Sequence, residues 1–496
     1  MSNLSELLPT GGGQNAVDFV ASGTLPNGKP VILKADGTVE AIAETATAES
    51  IPAGSAVVFN AADTEQLSAI SFDPNTANIF IVAYRDGGNS NYGTAIIGTV
   101  SGTSLTFGTE SVFYAGSVGS LLAIEFDPNT AGKFVIVYRD NADHGQAIVG
   151  TMSGTSLSFG TAVTLNSASN TWFSISFDPN TAGKCAIAFQ DVSSSDRGTV
   201  LIGTVSGTSI SFGSPVVFHS STTQYINVSY DPLNANKLVV TYRGTSDYGR
   251  ARVGTVSGTT PSFGTEVVFE SNGTTWVGTA IDKTTGKILT AYYADNNTRA
   301  IVGTISGTSI SFATSVIWIS NVSYKLRVAA DPLNTGNFII SYIDGGISNS
   351  NYAMTIVCTV SGTTPSFGSP ITIVNSNSYS NDISSEFDPT TSGKFVTVYS
   401  DVGNLSYGTA AVGQTAVSVT NLTSTNFIGI TAEAISSAAT GSVNVYGGIN
   451  EVQTGLTIGS DYYAQADGTI TTTSTSPAVK VGQAISATTI NMVDWT

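Results

Sequence analysis

The strongest constraint on this chain is that it repeats itself. The string VGTVSGTS and its variants recur with their first glycine at Gly98, Gly150, Gly203, Gly254 and Gly303; Cys358 takes that place in a further copy, and Gly413 marks a shortened last one. A second string, SFDP, runs in step with it, its aspartate at Asp73, Asp127, Asp178, Asp231, Asp282, Asp331 and Asp388. Both strings count seven, and their periods of 49 to 57 residues fall in the range of propeller blades, longer than most helical solenoid repeats.

One period holds four strand-like runs, as in VVF (57–59), LSAISF (67–72), IFIVAY (79–84) and TAIIGTV (94–100), punctuated by Gly, Asn, Asp, Pro and Ser. Runs such as FVIVY (134–138), LVVTY (238–242) and FIISY (338–342) are continuously apolar, so both of their faces need cover, which neighbouring blades would provide. Each of these runs ends in an aromatic: Tyr84, Tyr138, Phe189, Tyr242, Tyr293, Tyr342 and Tyr399. The last copy stops at AVGQTAV, and the first is preceded by a lone VVF strand. The early strand is therefore expected to complete the last blade and close a seven-bladed ring without exposed edges.

Composition agrees with an all-β chain. Charged residues make up only 11%, too few for amphipathic helices or coiled coils, while 52 glycines supply turns. A formal charge of −17 with no basic cluster argues against nucleic acid as a partner. No apolar run reaches the roughly 18 residues of a membrane span, and the start, MSNLSELLPTGGG, has neither part of a signal peptide; a soluble chain without its own export signal is expected. Cys185 and Cys358 read as small buried hydrophobes, and His144 and His219 alone make a His-rich metal site implausible.

Outside the repeats, LPNGKPVILKADGTV and LTIGSDYYAQADGTI share Leu25, Gly28, Asp36, Gly37 and Thr38 with Leu456, Gly459, Asp467, Gly468 and Thr469 at identical spacing. Two related strand pairs with Asp-Gly turns follow, and the flanks are read as one small β-barrel with the ring inserted in it. The expected domains are an arm (1–15), the first half of the barrel (16–52), the propeller (53–416) and the second half of the barrel (417–496). The flanking pattern, VDFVASGTLPNGKPVILKADGTVEAI with NFIGITAEAISSAATGSVNVYGG and the segment through VGQAISA, resembles the small β-barrel capsid decoration proteins of tailed bacteriophages. The VGTVSGTSISFGSPVVF repeats look like propeller repeats encoded by marine phages, including cyanophages. The resemblance implies a virion protein assembled in the host cytoplasm. Its partners would be other virion proteins, the major capsid protein or tail proteins, with assembly as a homo-oligomer on the particle.

Chemistry is weighed against plain structure at each motif. The SFDP aspartates could ring a cation, but Asp-Pro-Asn-Thr is first a turn in which Asp accepts from backbone N–H groups; Lys283 alone replaces the proline. A second acidic series, Asp86, Asp140, Asp191, Asp295, Asp344 and Asp401, is broken by Gly244 and matches no EF-hand spacing, so no metal and no cofactor are expected. Arg85, Arg139 and Arg243 could clamp a carboxylate, as the sialidase arginines do, yet no good Asp-box is present; strand-end Arg–Asp pairs are the simpler reading and catalysis is not expected. The GGG at 11–13 and the VGTVSGTS turns lack the following helix of a phosphate cradle. Aromatics are the better lead. Six residues before the SFDP aspartate stand Trp172, Tyr225 and Trp276, with Tyr324 shifted by one. There they could stack on sugar rings, packing between blades being the competing reading.

The sequence thus points to a non-enzymatic virion protein in which a barrel holds a propeller outward, for attachment to host surface glycans. A tail fibre or receptor-binding adhesin, a secreted propeller lectin or glycan-active enzyme, and a plain structural spacer are the alternatives.

Overall fold

A computed structural model describes residues 15–46, 49–51, 56–64, 68–119, 122–346, 351–373, 383–416, 418–475 and 477–492. The arm expected over 1–15 therefore lies outside the described residues except for Asn15. The chain is all-β and divides into two compact units, Met1–Ala48 with Ala416–Thr496, and Glu49–Thr415. The second unit begins a few residues before the boundary read from the sequence. The reason is that Ser50 and Gln414 already exchange backbone hydrogen bonds of 2.9 and 2.8 Å.

In the second unit the repeats form antiparallel sheets. The fourth pairs Gln224–Tyr230, Lys237–Arg243 and Gly249–Ser257 in chain order. Two short strands, Thr260–Phe263 and Val267–Glu270, then lie end to end along the third, so the outer position read as one strand is a tandem pair. The sheets of the second and third repeats are joined through the long strand Val163–Phe177, which pairs backward with His144–Ser153 and forward with Lys184–Asp191. The last repeat takes Val57–Asp63 as its outer strand, with Ala410 opposite Val57 and Thr409 opposite Val58.

The opening strands of successive repeats touch in chain order, and Ile383–Phe387 in turn touches Ser68–Phe72. Side chains lace these strands together. Ser71 Oγ accepts from Phe126 N (3.2 Å), Glu125 Oε2 from Phe177 N (3.0 Å), Ser176 Oγ from Tyr230 N (3.1 Å), and Glu386 from the backbone of Phe72. Each acceptor satisfies a donor that an open sheet edge would leave unpaired.

The continuously apolar second strands are buried on both faces. Leu238, Val240 and Tyr242 pack with the third repeat's Ala186, Val200 and Ile202, whereas Val239 between them packs with the fifth repeat's Ile281 and Ile288. Strand alternation thus sends neighbouring residues into two different cores. The glycine of VGTVSGTS sits opposite this strand: Gly150 pairs with Phe134 and Gly413 with Phe395, and a Cβ at either would lie 2.0 or 2.1 Å from the ring. The strand-end aromatics are buried as expected except in the fifth repeat. There the turn after Asp282 is one residue shorter, so Tyr292, and not Tyr293, occupies the core. The same shift puts Ala294 where sister repeats carry the second acidic series, leaving Asp295 in the turn with φ 50°.

In the first unit both chain ends contribute to one sheet, ordered Ala16–Val20, Thr440–Val445, Phe427–Thr431, Pro30–Leu33, Val39–Ala41. A second sheet comes entirely from the C-terminal segment. The matched Asp-Gly turns close identically: Lys34 N donates to Thr38 O and Gln465 N to Thr469 O, both 2.9 Å, with Asp36 and Asp467 capping Thr38 and Thr469.

Candidate functional site

Antiparallel pairing puts the two kinds of turn on opposite faces of the second unit. One face carries the DPNT-like turns and, in every repeat but the shortened last, the SGTS turns, nearly the same from copy to copy. Its aspartates are structural. Asp73, Asp127 and Asp178 each accept from the N–H two residues on at 2.9 Å, an Asx turn. They also reach across repeats: Gly183 N donates to Asp127 Oδ2 (2.8 Å), Gly336 N to Asp282 Oδ2, and Gly393 N to Asp331.

The opposite face carries loops that differ in every repeat, together with the start of each opening strand. Here Trp172, Tyr225 and Trp276 come together. Ring centroids are 4.4 Å apart for Trp172 and Tyr225, 5.0 Å for Tyr225 and Trp276, and 6.3 Å for Trp276 and Tyr324, forming one arc across successive repeats. All three predicted residues are half-buried, and Tyr324 is 36% exposed. The arc is built by a register shift at the same point of each strand, as between Gln224 and Asn227 or Thr275 and Gly278. At that bulge the backbone is left-handed, with φ 57° at Trp172, 52° at Tyr225 and 54° at Trp276. Bulky residues held there cost about 1 to 3 kcal/mol each, strain that proteins concentrate at functional sites.

Lys325 holds the fourth position of the series, φ 55°, and its Nζ lies 5.1 Å from the centre of the Trp276 ring; Arg243 lies 6.0 Å from that of Tyr225. Both are cation–π distances. Lys325 keeps the six-residue distance from Asp331, whereas Tyr324, the ring singled out in the sequence, stands one place outside the series.

Two of the three arginines, and several of the acidic series, make local contacts. Arg139 meets Asp143 and Arg243 meets Asp247, each four residues on. Asp86 accepts from Gly88 N and Asp344 from Gly346 N, both 2.9 Å, as turn caps. A denser network stands in the fourth repeat and has no signature in the sequence. Glu266 accepts from Tyr242 Oη (2.5 Å) and from Arg250, and sits 2.9 Å from His219 Nδ1. Burial pulls the His219 imidazole below its ordinary pKa. Burial pushes Glu266 up, but the Tyr242 hydrogen bond and the Arg250 charge outweigh it and hold the carboxyl below its usual range.

The opening strands surround a cavity of about 460 Å³ that reaches from Trp172 and Tyr225 at the variable face to Pro128, Pro179 and Lys283 at the constant one. Glu125 and Glu386 line it, and burial raises both, Glu386 to about 8.

No family model matches the sequence, and no curated protein matches it. Among solved structures, the BP39L lectin of Burkholderia pseudomallei is similar over 72% of this chain and 99% of its own, with a TM-score of 0.52 and 8% identity. The Aleuria aurantia lectin, described as a six-bladed β-propeller, matches over 62% and 97% of the two chains (TM-score 0.42, 12% identity). The AofleA protein of Arthrobotrys oligospora matches over 70% and 97% (TM-score 0.43, 10% identity). At such low identity the first of these shows a shared fold and nothing of ligand.

Proposed function

We propose that this chain is a non-enzymatic glycan-binding protein, a seven-bladed propeller whose ligand lies on the arc of Trp172, Tyr225 and Trp276. The observation that carries the reading is the left-handed backbone repeated under all three rings. Packing alone is served by ordinary extended residues, as at Tyr84 and Tyr242. Three strained aromatics in a row at the variable face, half-buried and flanked by Arg243 and Lys325, suit stacking on successive sugar rings. The closed series of opening strands and the count of both repeat strings support seven blades, one more than the Aleuria lectin is described with. The similarity to the BP39L lectin supports the fold, and the ligand class rests on the arc.

A glycan array read with the wild type and with Trp276→Ala tests this. Binding by the wild type and a loss of about tenfold in the variant, roughly the 1.4 kcal/mol of one good aromatic contact, is the expected outcome. An array blank for the wild type overturns it. The setting we propose is the surface of a tailed-phage particle, the flanks forming a small barrel that holds the propeller to the capsid. A sheet built from both flanks supports the joint domain, and the resemblance of the flanking sequences supports the particle. Mass spectrometry of purified particles, in which the chain should be found in stoichiometric amounts, tests it separately.

A further inference from the structure

Beside the arc, the variable face holds a pocket of about 270 Å³ with Ser221, Thr222 and Gln224 on one side and the turn Arg243–Asp247 on the other. It lies just below the roughly 300 Å³ at which drug-sized sites begin, a space for one sugar ring and not for an oligosaccharide. Resting on the glycan-binding reading, we infer that this pocket is the subsite for a single neutral sugar residue, held by Asp247, Arg243 and Gln224 while the rest of the glycan runs over the arc.

Three observations carry the inference. First, the turn departs from its sisters. Where the second repeat has Asp140, whose carboxylate accepts from Ala142 N, His144 N and Gln146 Nε2, the fourth has Gly244. The turn is propped from behind instead: His219 Nε2 lies 3.0 Å from Thr245 Oγ1, and Arg250 Nη2 donates to Thr245 O at 3.0 Å. A Cβ at residue 244 would lie 2.6 Å from Arg250 and 3.0 Å from His219, so the glycine and the props require each other.

Second, the polar groups are of mixed sign. Arg243 Nε donates to Asp247 Oδ1 at 2.8 Å, and the Asp247 side chain is 58% exposed. A guanidinium already neutralised by a carboxylate does not attract an anion, and a ligand carboxylate would meet Asp247 at close range. A neutral ring fits both: its hydroxyls donate to Asp247 and accept from Arg243 and the Gln224 amide. Third, Ser246 and Asp247 are both left-handed, φ 64° and 61°, so the exposed carboxylate is held in place at a conformational cost. Arg243 also spans to the Tyr225 ring, joining the pocket to the arc.

The test is titration calorimetry with methyl glycosides of neutral hexoses and of glucuronic acid, alongside the array, for the wild type, Asp247→Asn and Thr222→Trp. Asparagine accepts the left-handed backbone and residue 222 is exposed, so both variants should fold, which thermal melts check. Leu233→Ala on the constant face, 53% exposed, is the control expected to bind as the wild type does. The wild type should bind a neutral glycoside in preference to the glucuronide, and both pocket variants should weaken that binding at least tenfold. Wild-type affinity in both variants, with the array still positive, overturns the subsite and leaves the arc standing. A preference for the glucuronide overturns the neutral class, and a blank wild-type array overturns the glycan reading and the subsite together.

Discussion

Two glutamates show how one side chain serves the ring at an electrostatic cost. Glu125 and Glu386 take a position held elsewhere by Ser71, Ser176, Ser229, Ala280 and Ala329, and both accept a backbone N–H of the following repeat. Burial raises Glu386 to about 8, against the ordinary glutamate value near 4.5, and Lys283 opposes the rise. With the folded value above the unfolded one, the folded state binds more protons between these limits. The stability linked to that proton is full below pH 4.5 and is lost as pH rises through 8. Glu386→Gln keeps an acceptor for Phe72 and removes the titration. Thermal melts of the variant should show a flatter decline between pH 5 and 8 and a stability above that of wild type at pH 8.5. Equal slopes for the two proteins would refute the assignment. The bulge aromatics teach a complementary lesson at this scale. Trp172, Tyr225 and Trp276 were legible as a series because their distance from the SFDP aspartate is constant. The same count of six reaches Lys325 in the next repeat, but the left-handed backbone was not legible, since a register shift is a property of two paired strands and not of one.

At the scale of the strand pair, the repeat motif is explained by what stands across from it. Gly150 faces Phe134, so Gly150→Ala should cost about 1 to 3 kcal/mol by overpacking, whereas Cys358→Ala, opposite Phe338, should cost less than 1. Urea titrations of both variants decide it. The aspartate turns make a second comparison. Asp127 receives Gly183 N from the next repeat, but Asp178 Oδ2, buried, has no partner among the described residues, where Asn236 stands in place of that glycine. Asp127→Asn should therefore destabilise by about 1 to 3 kcal/mol and Asp178→Asn by clearly less, measured in the same titrations. Element order and type were legible here because alternation, turn residues and repeats agreed at every copy. The tandem outer strands and the displaced Tyr292 were not. Each depends on a bend or a one-residue deletion that shifts pairing without changing composition, and the His219–Glu266–Arg250 network joins residues 47 and 16 positions apart with no shared motif.

At the scale of the whole chain, the second unit closes on itself. Its two ends meet at Ser50 and Gln414, its last sheet is completed by Val57–Asp63, and Thr391 Oγ1 reaches Asn78 Oδ1 at 3.3 Å between the last and first repeats. Residues 49–415 expressed alone should melt in one cooperative transition, and removal of 56–64 should abolish that cooperativity, as calorimetry would show. The opposite holds for residues 1–48, whose strands are interleaved with those of the C-terminal segment. During synthesis Ala16–Val20 emerges before every strand of the second unit, and its partner Thr440–Val445 only after all of them. That strand must therefore wait, without this partner, while the whole intervening unit is translated, and the sheet they share can close only afterwards.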